Sequence, residues 1–190
     1  MISFFFEKIL PHFLFLYERF CMYRIRYSWG IANLKKIKNK GHNVKVMGYT
    51  RFLDPDNITL GNHVRIGYGC FLFGKGGISI GDCTILSRNI TIYSSNHDFK
   101  DNMIPYSDEY IKKPVIIGKG VWIGMNVCIT PGVTIKDGAI IGMGAVISKD
   151  VNEGEIVVGS DQRIISNRDM DKFGRLLKEE LIYAKIYPNS

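Results

Sequence analysis

One histidine of the four, His97, stands where chemistry could begin. It lies in Ser95-Asn96-His97-Asp98, at the head of residues 94–114, a polar stretch with two prolines that breaks the regular spacing on either side of it. Neutral imidazole can take a proton near pH 7, and a long loop inside a regular array is usually functional. Asp98 or Glu109 could hold the other ring nitrogen, and the sequence does not choose between them. His12 and His42 lie outside the regular array and His63 at a corner of it, so each reads as solvated or structural. The four cysteines show no CxxC pair and no metal-ligand spacing. They read as reduced thiols of a cytosolic protein, and no metal site is expected. Covalent catalysis by Cys83 or Cys128 is a rival, but neither has an adjacent histidine to activate it.

The element that positions His97 is a repeat. Ile117, Ile123, Ile129, Ile135, Ile141 and Ile147 recur every six residues, with Val or Ala two places before each. Gly120, Gly132, Gly138 and Gly144 stand three places after, with Asn126 and Asp150 in the remaining slots. A period of six fits neither a helical stripe nor an alternating strand. It fits a short strand and a corner: β-branched residues favour extended backbone, and Gly, Asn and Asp tolerate tight corners. One hexad cannot bury its isoleucine alone, so the coils must stack.

An earlier block, Leu60, Ile66, Leu72 and then Ile80, Leu86, Ile92, keeps the period apart from a slip at Gly74-Lys75-Gly76-Gly77. About twelve hexads, or roughly four coils, are expected over both blocks, after a transition over 41–57. Ile92 and Ile117 are 25 apart, not a multiple of six, which marks the insertion carrying His97.

Residues 2–40 read as helix with a broad aromatic surface (Phe4, Phe5, Phe6, Phe13, Phe20), which Pro11 kinks or divides. Glu7, Lys8, His12, Glu18 and Arg19 interrupt it short of a membrane span, and it lacks the marks of a secretory signal. It packs on the repeat or a neighbouring subunit, or it lies on an anionic membrane surface. Nine basic and two acidic residues fall up to Lys45, out of 25 and 18, so the whole +7 charge sits there and the rest is neutral. A neutral body argues against nucleic-acid binding. Residues 168–186 read as an amphipathic helix, with Met170, Phe173, Leu177 and Leu181 on one face, that caps the last coil. The domains expected are 1–45 (aromatic, basic, helical), 46–166 (repeat, with the insertion) and 167–190 (C-terminal helix).

The repeat, the WIG segment Trp122-Ile123-Gly124 and the His97 setting resemble the hexapeptide-repeat acyltransferases. The resemblance covers roughly residues 55–165. It implies an all-β solenoid, a left-handed parallel β-helix assembled as a homotrimer with active sites at subunit interfaces. It also implies that acetyl-CoA is the co-substrate and that His97 deprotonates the acceptor for direct transfer. An oxyanion donor, such as a backbone N–H, would stabilise the intermediate. Matching the galactoside and maltose acetyltransferases places coenzyme contacts at Gly124, Met125, Gly142, Met143, Ser148, Lys149 and Arg163. Asn96, Asp98 and Trp122 are the candidates for the acceptor side.

The chain departs from those enzymes at Gly159-Ser160-Asp161-Gln162-Arg163, where a proline is lost, and at Ser166, where they carry a basic residue. Their sugar-binding acid and amide fall near Lys75 and Gly67, so a different acceptor is expected. The aromatic, basic N-terminus and the SSNHDF segment are closer to bacterial O-acetyltransferases of surface polysaccharide assembly. That implies a sugar hydroxyl as acceptor and a cytoplasmic location, with residues 1–40 able to touch the inner face of the membrane. Alternatives are N-acetylation of an amino-sugar nucleotide or of a drug such as chloramphenicol, and a non-catalytic trimeric scaffold. Zinc-type carbonic anhydrases share the fold but need three converging histidines, and here only His97 is suitably placed.

Overall fold

Short β-branched runs broken by corner residues fold into very short strands that cannot stand alone. In a computed structural model of the chain, which describes residues 7, 9–98, 108–159, 163–167 and 169–180, these strands wind into a left-handed parallel solenoid of about six turns. Each turn adds one strand to each of three faces. Face one holds β1 (Asn39–Lys40), β4 (Ile58–Leu60), β7 (Ile78–Ile80), β12 (Val115–Ile117) and β15 (Thr134–Ile135). Face two holds β2 (Lys45–Val46), β5 (Arg65–Ile66), β8 (Ile85–Leu86), β13 (Trp122–Ile123), β16 (Ile140–Ile141) and β18 (Glu155–Val158). Face three holds β3 (Arg51–Leu53), β6 (Phe71–Phe73), β9 (Thr91–Tyr93), β14 (Cys128–Ile129) and β17 (Val146–Ile147).

The repeated apolar residue of each hexad points inward and forms one column per face. On face two the column is Ile66, Leu86, Ile123 and Ile141, each at most 1% exposed. Burying each such side chain is worth about 1.5–3 kcal/mol, and none is buried until the coils above and below are in place. At the edge between faces one and two the backbone turns left-handed in every coil: Asn43, His63, Cys83, Gly120, Gly138 and Gly154 have φ of 51°, 57°, 60°, 60°, 68° and 68°. This is the positive-φ corner that Gly and Asn adopt at least cost.

The solenoid begins earlier and is longer than the hexad count suggests. The stretch read as a transition is already the first coil: Asn39 pairs with Thr59, Lys45 with Arg65, and Arg51 with Phe71. The first coils take twenty residues per turn (Lys45 to Arg65 to Ile85), and the later ones eighteen (Trp122 to Ile140). The additional residues sit at the edge between faces three and one, in the turns at Pro55–Asn57 and Gly74–Gly77. That is why a strict count of six loses phase there. The large insertion opens at the same edge one coil later.

The N-terminal helix is divided, as Pro11 suggests, but the break lies further along. α1 (Leu10–Tyr17) leads through a π-helical stretch (Glu18–Met22) into α2 (Tyr23–Leu34). α2 lies on the first coil, where a Cβ at Gly30 would overlap the Val46 carbonyl, so only glycine permits the approach. Asn33 in its last turn and Ile37 just after it are buried. α1 is exposed along its length, with Phe13 at 67%. At the other end, β19 (Arg163–Asn167) pairs antiparallel with β18 and closes the edge of face two. α3 (Met170–Lys178) follows, capped by Asp169, whose Oδ1 accepts the Lys172 N–H at 2.9 Å. Its Phe173 ring lies against Gly120 and Gly138. Leu181 lies outside the described residues, as do Phe4, Phe5 and Phe6.

Candidate functional site

His97 is carried on a hairpin that leaves the solenoid where the third coil ends. β10 (Ser95–His97) pairs antiparallel with β11 (Tyr110–Lys112), setting Ser95 opposite Lys112, Asn96 opposite Ile111 and His97 opposite Tyr110. The root of this hairpin is buried. Ser94 Oγ donates to the Phe73 carbonyl at 2.7 Å and accepts the Gly76 N–H at 2.9 Å, while its own carbonyl accepts the Lys113 N–H at 2.8 Å. The solenoid ladder closes behind the insertion, because Ile78 pairs directly with Val115. A rigid wall therefore fixes both ends of the loop.

The half-buried His97 ring packs on Tyr110, with centroids 4.2 Å apart and planes tilted by 39°. Lys75 Nζ stands 3.7 Å from the Tyr110 ring centroid, a cation–π contact, and Phe73 meets Tyr110 edge-on at 5.9 Å. Asn96 Oδ1 accepts the His97 backbone N–H at 3.0 Å, and the Asp98 N–H donates to the Glu109 carbonyl at 3.1 Å. Tyr110 is a neighbour of His97 that the sequence did not single out. It lies 13 residues from His97 across a loop whose residues 99–107 lie outside the described residues, and only the hairpin register brings it there.

The coenzyme candidates fall on two edges. Gly124, Met125, Gly142 and Met143 form one stacked column between faces two and three. The Gly124 N–H donates to the Ile141 carbonyl at 2.8 Å, and the Met125 carbonyl accepts the Gly144 N–H at 2.8 Å. A Cβ on Gly124 would meet Met143 N at 2.6 Å, so the two coils approach closely only because this position is bare. Met125 and Met143 are exposed. Ser148 and Lys149, both exposed, lie instead on the edge between faces three and one, two coils above His97. Arg163 opens β19 opposite Val158, and its side chain lies outside the described residues. Trp122 is 54% exposed on face two, between Ile85 and Ile140, and so lies across the prism from its own His97.

Two of the other histidines contact each other. His42 and His63 face each other at the edge between faces one and two, Nε2 to Nε2 at 3.0 Å, and Asn43 Nδ2 meets His63 Nδ1 at 2.9 Å. With the amide donating, His63 carries its proton on Nε2 and donates to His42. Among the described residues no three His, Cys, Asp or Glu side chains come together as a metal-holding group. Cys70 is buried, and desolvation pushes its thiol up to about 11. Cys21 and Cys128 are exposed.

Comparison with known proteins agrees with the repeat and the solenoid it builds. Residues 114–149 match the bacterial transferase hexapeptide (six repeats) family. A maltose O-acetyltransferase from Clostridium difficile 630 is 32% identical, with 70% of this chain and 68% of that one covered and a TM-score of 0.56. A dTDP-4-amino-4,6-dideoxy-D-glucose acyltransferase of Escherichia coli is 31% identical over 100 residues, 42% of this chain and 48% of that protein, so the chain spans about half the length of this relative. A Bacillus cereus N-acyltransferase, solved with dTDP-4-amino-4,6-dideoxyglucose and coenzyme A, shares the fold at 24% identity with a TM-score of 0.65, over 80% of this chain and 96% of that one. On the repeat, the solenoid it builds and these relatives, the chain belongs to the hexapeptide-repeat acyltransferase family.

Proposed function

We propose that this protein is an acetyl-CoA-dependent O-acetyltransferase whose acceptor is a sugar hydroxyl in surface-polysaccharide assembly. The observation that carries the reading is His97 on a hairpin whose two ends are pinned to the solenoid wall. The imidazole takes the hydroxyl proton as the oxygen attacks the thioester carbonyl. The tetrahedral oxyanion then collapses, and coenzyme A leaves as the thiol, having gained a proton. No acyl-enzyme forms. Gly124, Met125, Gly142 and Met143 line the pantetheine path with backbone groups. Ser148, Lys149 and Arg163 serve the coenzyme phosphates, where cations are favoured. Asn96, Asp98 and Trp122 serve the acceptor.

The working unit is a homotrimer with its sites between subunits. His97 and Trp122 lie on opposite sides of one prism at the same coil level, so copies packed side by side with parallel axes bring one subunit's base to the next subunit's Trp122. The exposed aromatic α1, followed by Arg24, Arg26 and the lysines of 35–45, suits peripheral contact with the anionic inner face of the cytoplasmic membrane. Among the described residues no helix is long and apolar enough to cross a membrane. Co-sedimentation with anionic vesicles, lost in Phe13→Glu/Phe15→Glu, tests that contact. Unchanged binding refutes it.

N-acylation of an amino-sugar nucleotide is the second reading. It is favoured by the amino-sugar substrates that the names of two relatives state. The deciding assay follows thiol release from acetyl-CoA against a panel of sugar nucleotides and oligosaccharides, with wild type beside His97→Ala. Release that needs both acceptor and His97 supports the mechanism, and release indifferent to His97 overturns the site. A product cleaved by mild base is an ester; a stable one is an amide. No release, with no coenzyme binding, leaves the scaffold reading.

A further inference from the structure

We infer that Lys75 is a specificity-determining residue and that the acceptor sugar carries a carboxylate near the hydroxyl that is acylated. This rests on the acyltransferase reading and names its acceptor class. Lys75 lies in the turn Gly74–Gly77, which the Gly77 N–H closes onto the Gly74 carbonyl at 2.8 Å. The next residue, Gly76, donates its N–H to Ser94 Oγ at 2.9 Å. The turn that carries the lysine is thus bonded to the root of the hairpin that carries the base.

The side chain is held as well as the backbone. Lys75 is half-buried, with Nζ 3.7 Å from the Tyr110 ring centroid, and the His97 ring centroid is 4.2 Å from the same point. Laid end to end, these distances put the ammonium at most about 8 Å from the imidazole centroid. The π-face of Tyr110 fixes one side of the ammonium without neutralising its charge, and the other N–H donors stay available to an oxygen. The hairpin carries Asp98, Asp108 and Glu109, yet among the described residues no carboxylate comes within ion-pair distance of Lys75.

That placement sets the chemistry. When His97 takes the hydroxyl proton it becomes a cation, and a second cation this close opposes the step. A carboxylate on the acceptor offsets both charges and makes a charge-assisted hydrogen bond to Nζ. One sugar ring covers the span, with its hydroxyl at the imidazole and its carboxylate at the lysine. Phe73 meets the rings of Tyr93 and Tyr110 edge-on at 5.4 and 5.9 Å, and Tyr93 is 40% exposed. An aromatic cluster of this kind offers an apolar surface to the C–H side of a sugar, which a bare phosphate would not use. The coenzyme phosphates are the competing anion. Their candidate cation on this edge, Lys149, lies two coils above His97, whereas Lys75 lies on the coil below the hairpin.

The test uses methyl glycosides in matched pairs, glucoside with glucuronide and galactoside with galacturonide, whose members differ only in bearing a hydroxymethyl or a carboxylate group. Thiol release from acetyl-CoA gives kcat/KM for each sugar, and titration calorimetry without coenzyme gives its binding. Both are measured on full-length wild type, Lys75→Met and Lys75→Arg, with folding checked by the unfolding midpoint. The expected result is a wild-type preference for the acid of about tenfold or more in at least one pair, lost in Lys75→Met and kept in Lys75→Arg. The coenzyme Kd should stay within about twofold in all three proteins. Failure of both acids to bind, no preference for the acid in either pair, a preference that survives Lys75→Met, or an equal weakening of coenzyme A overturns the inference. If an acid binds through Lys75 while wild type releases no thiol, the acyltransferase reading falls and the Lys75 assignment stands. If only the neutral sugars support thiol release, that reading stands and the inference falls.

Discussion

Gly76 holds the root of the His97 hairpin, and Gly76→Ala should damage turnover more than stability. A Cβ at this position would overlap the Ser94 carbonyl oxygen and come within 2.9 Å of Lys113 N. Both obstacles are backbone, and they are the two ends of the Lys113 N–H to Ser94 carbonyl bond at 2.8 Å. Normal carbon contacts lie at about 3.5–4.0 Å, so relief requires a shift of about 1.5–2 Å at the point where the loop leaves the wall. Overpacking of this kind costs about 1–3 kcal/mol. Misplacing a catalytic group by about 1 Å can cost about 10²-fold in rate. The expected outcome is therefore a modest drop in the denaturation midpoint, coenzyme binding within about twofold of wild type, and kcat lower by one to two orders of magnitude. Urea unfolding, coenzyme titration and steady-state kinetics on one preparation measure all three. A Gly76→Ala protein with kcat within twofold of wild type would refute the claim that this root positions His97.

Further outcomes follow from burial and capping. Ile123→Ala removes a fully buried side chain from the face-two column and should cost about 2–5 kcal/mol by denaturant unfolding. Asp169→Ala removes the α3 cap and should cost about 1 kcal/mol. Gly174→Ala, with nothing within 4 Å of the new methyl, should gain about 0.5–1 kcal/mol. In the folded protein at pH 8 a thiol reagent should modify Cys21 and Cys128 and spare Cys70, which should react only on unfolding. Because Cys70 is raised from 9.0 to about 11, its contribution to stability is complete below pH 9 and is lost progressively as pH rises towards 11. A Cys70→Ala variant should show a shallower loss over that window.

The later coils are legible from sequence because one isoleucine every six residues leaves a single way to bury the set. The first coil is not. Val46 and Phe52 occupy its inner positions, but the extra residues at one edge put the next inward residue of the columns at Leu60, eight places after Phe52 rather than six. His97 is legible as a candidate because it opens an unpatterned stretch inside a patterned one. Its contact with Tyr110, and that of Tyr110 with Lys75, depend on hairpin register, which carries no periodic signal. The stacking of basic residues on the early coils is invisible for a related reason. Arg26 is on a helix, and Lys45 and Arg65 become neighbours only once a turn is known to take twenty residues rather than eighteen. The separation of the coenzyme candidates onto two edges likewise needs the winding, since Met143 and Lys149 are close in sequence but turn different corners.

The pairing of Ile78 with Val115 has one further consequence. The wall is bonded from coil to coil, so the chain between two rungs can change length without either rung registering it. The stretch bearing His97 behaves like a cassette plugged into a rack, with its two ends clamped by the wall. Exchange of residues 98–109 for segments of other lengths should leave the solenoid intact while altering which acceptors reach the base. In this architecture new specificities can arise by insertion and deletion, the kind of change that in a conventional sheet would shift the register and destroy the core.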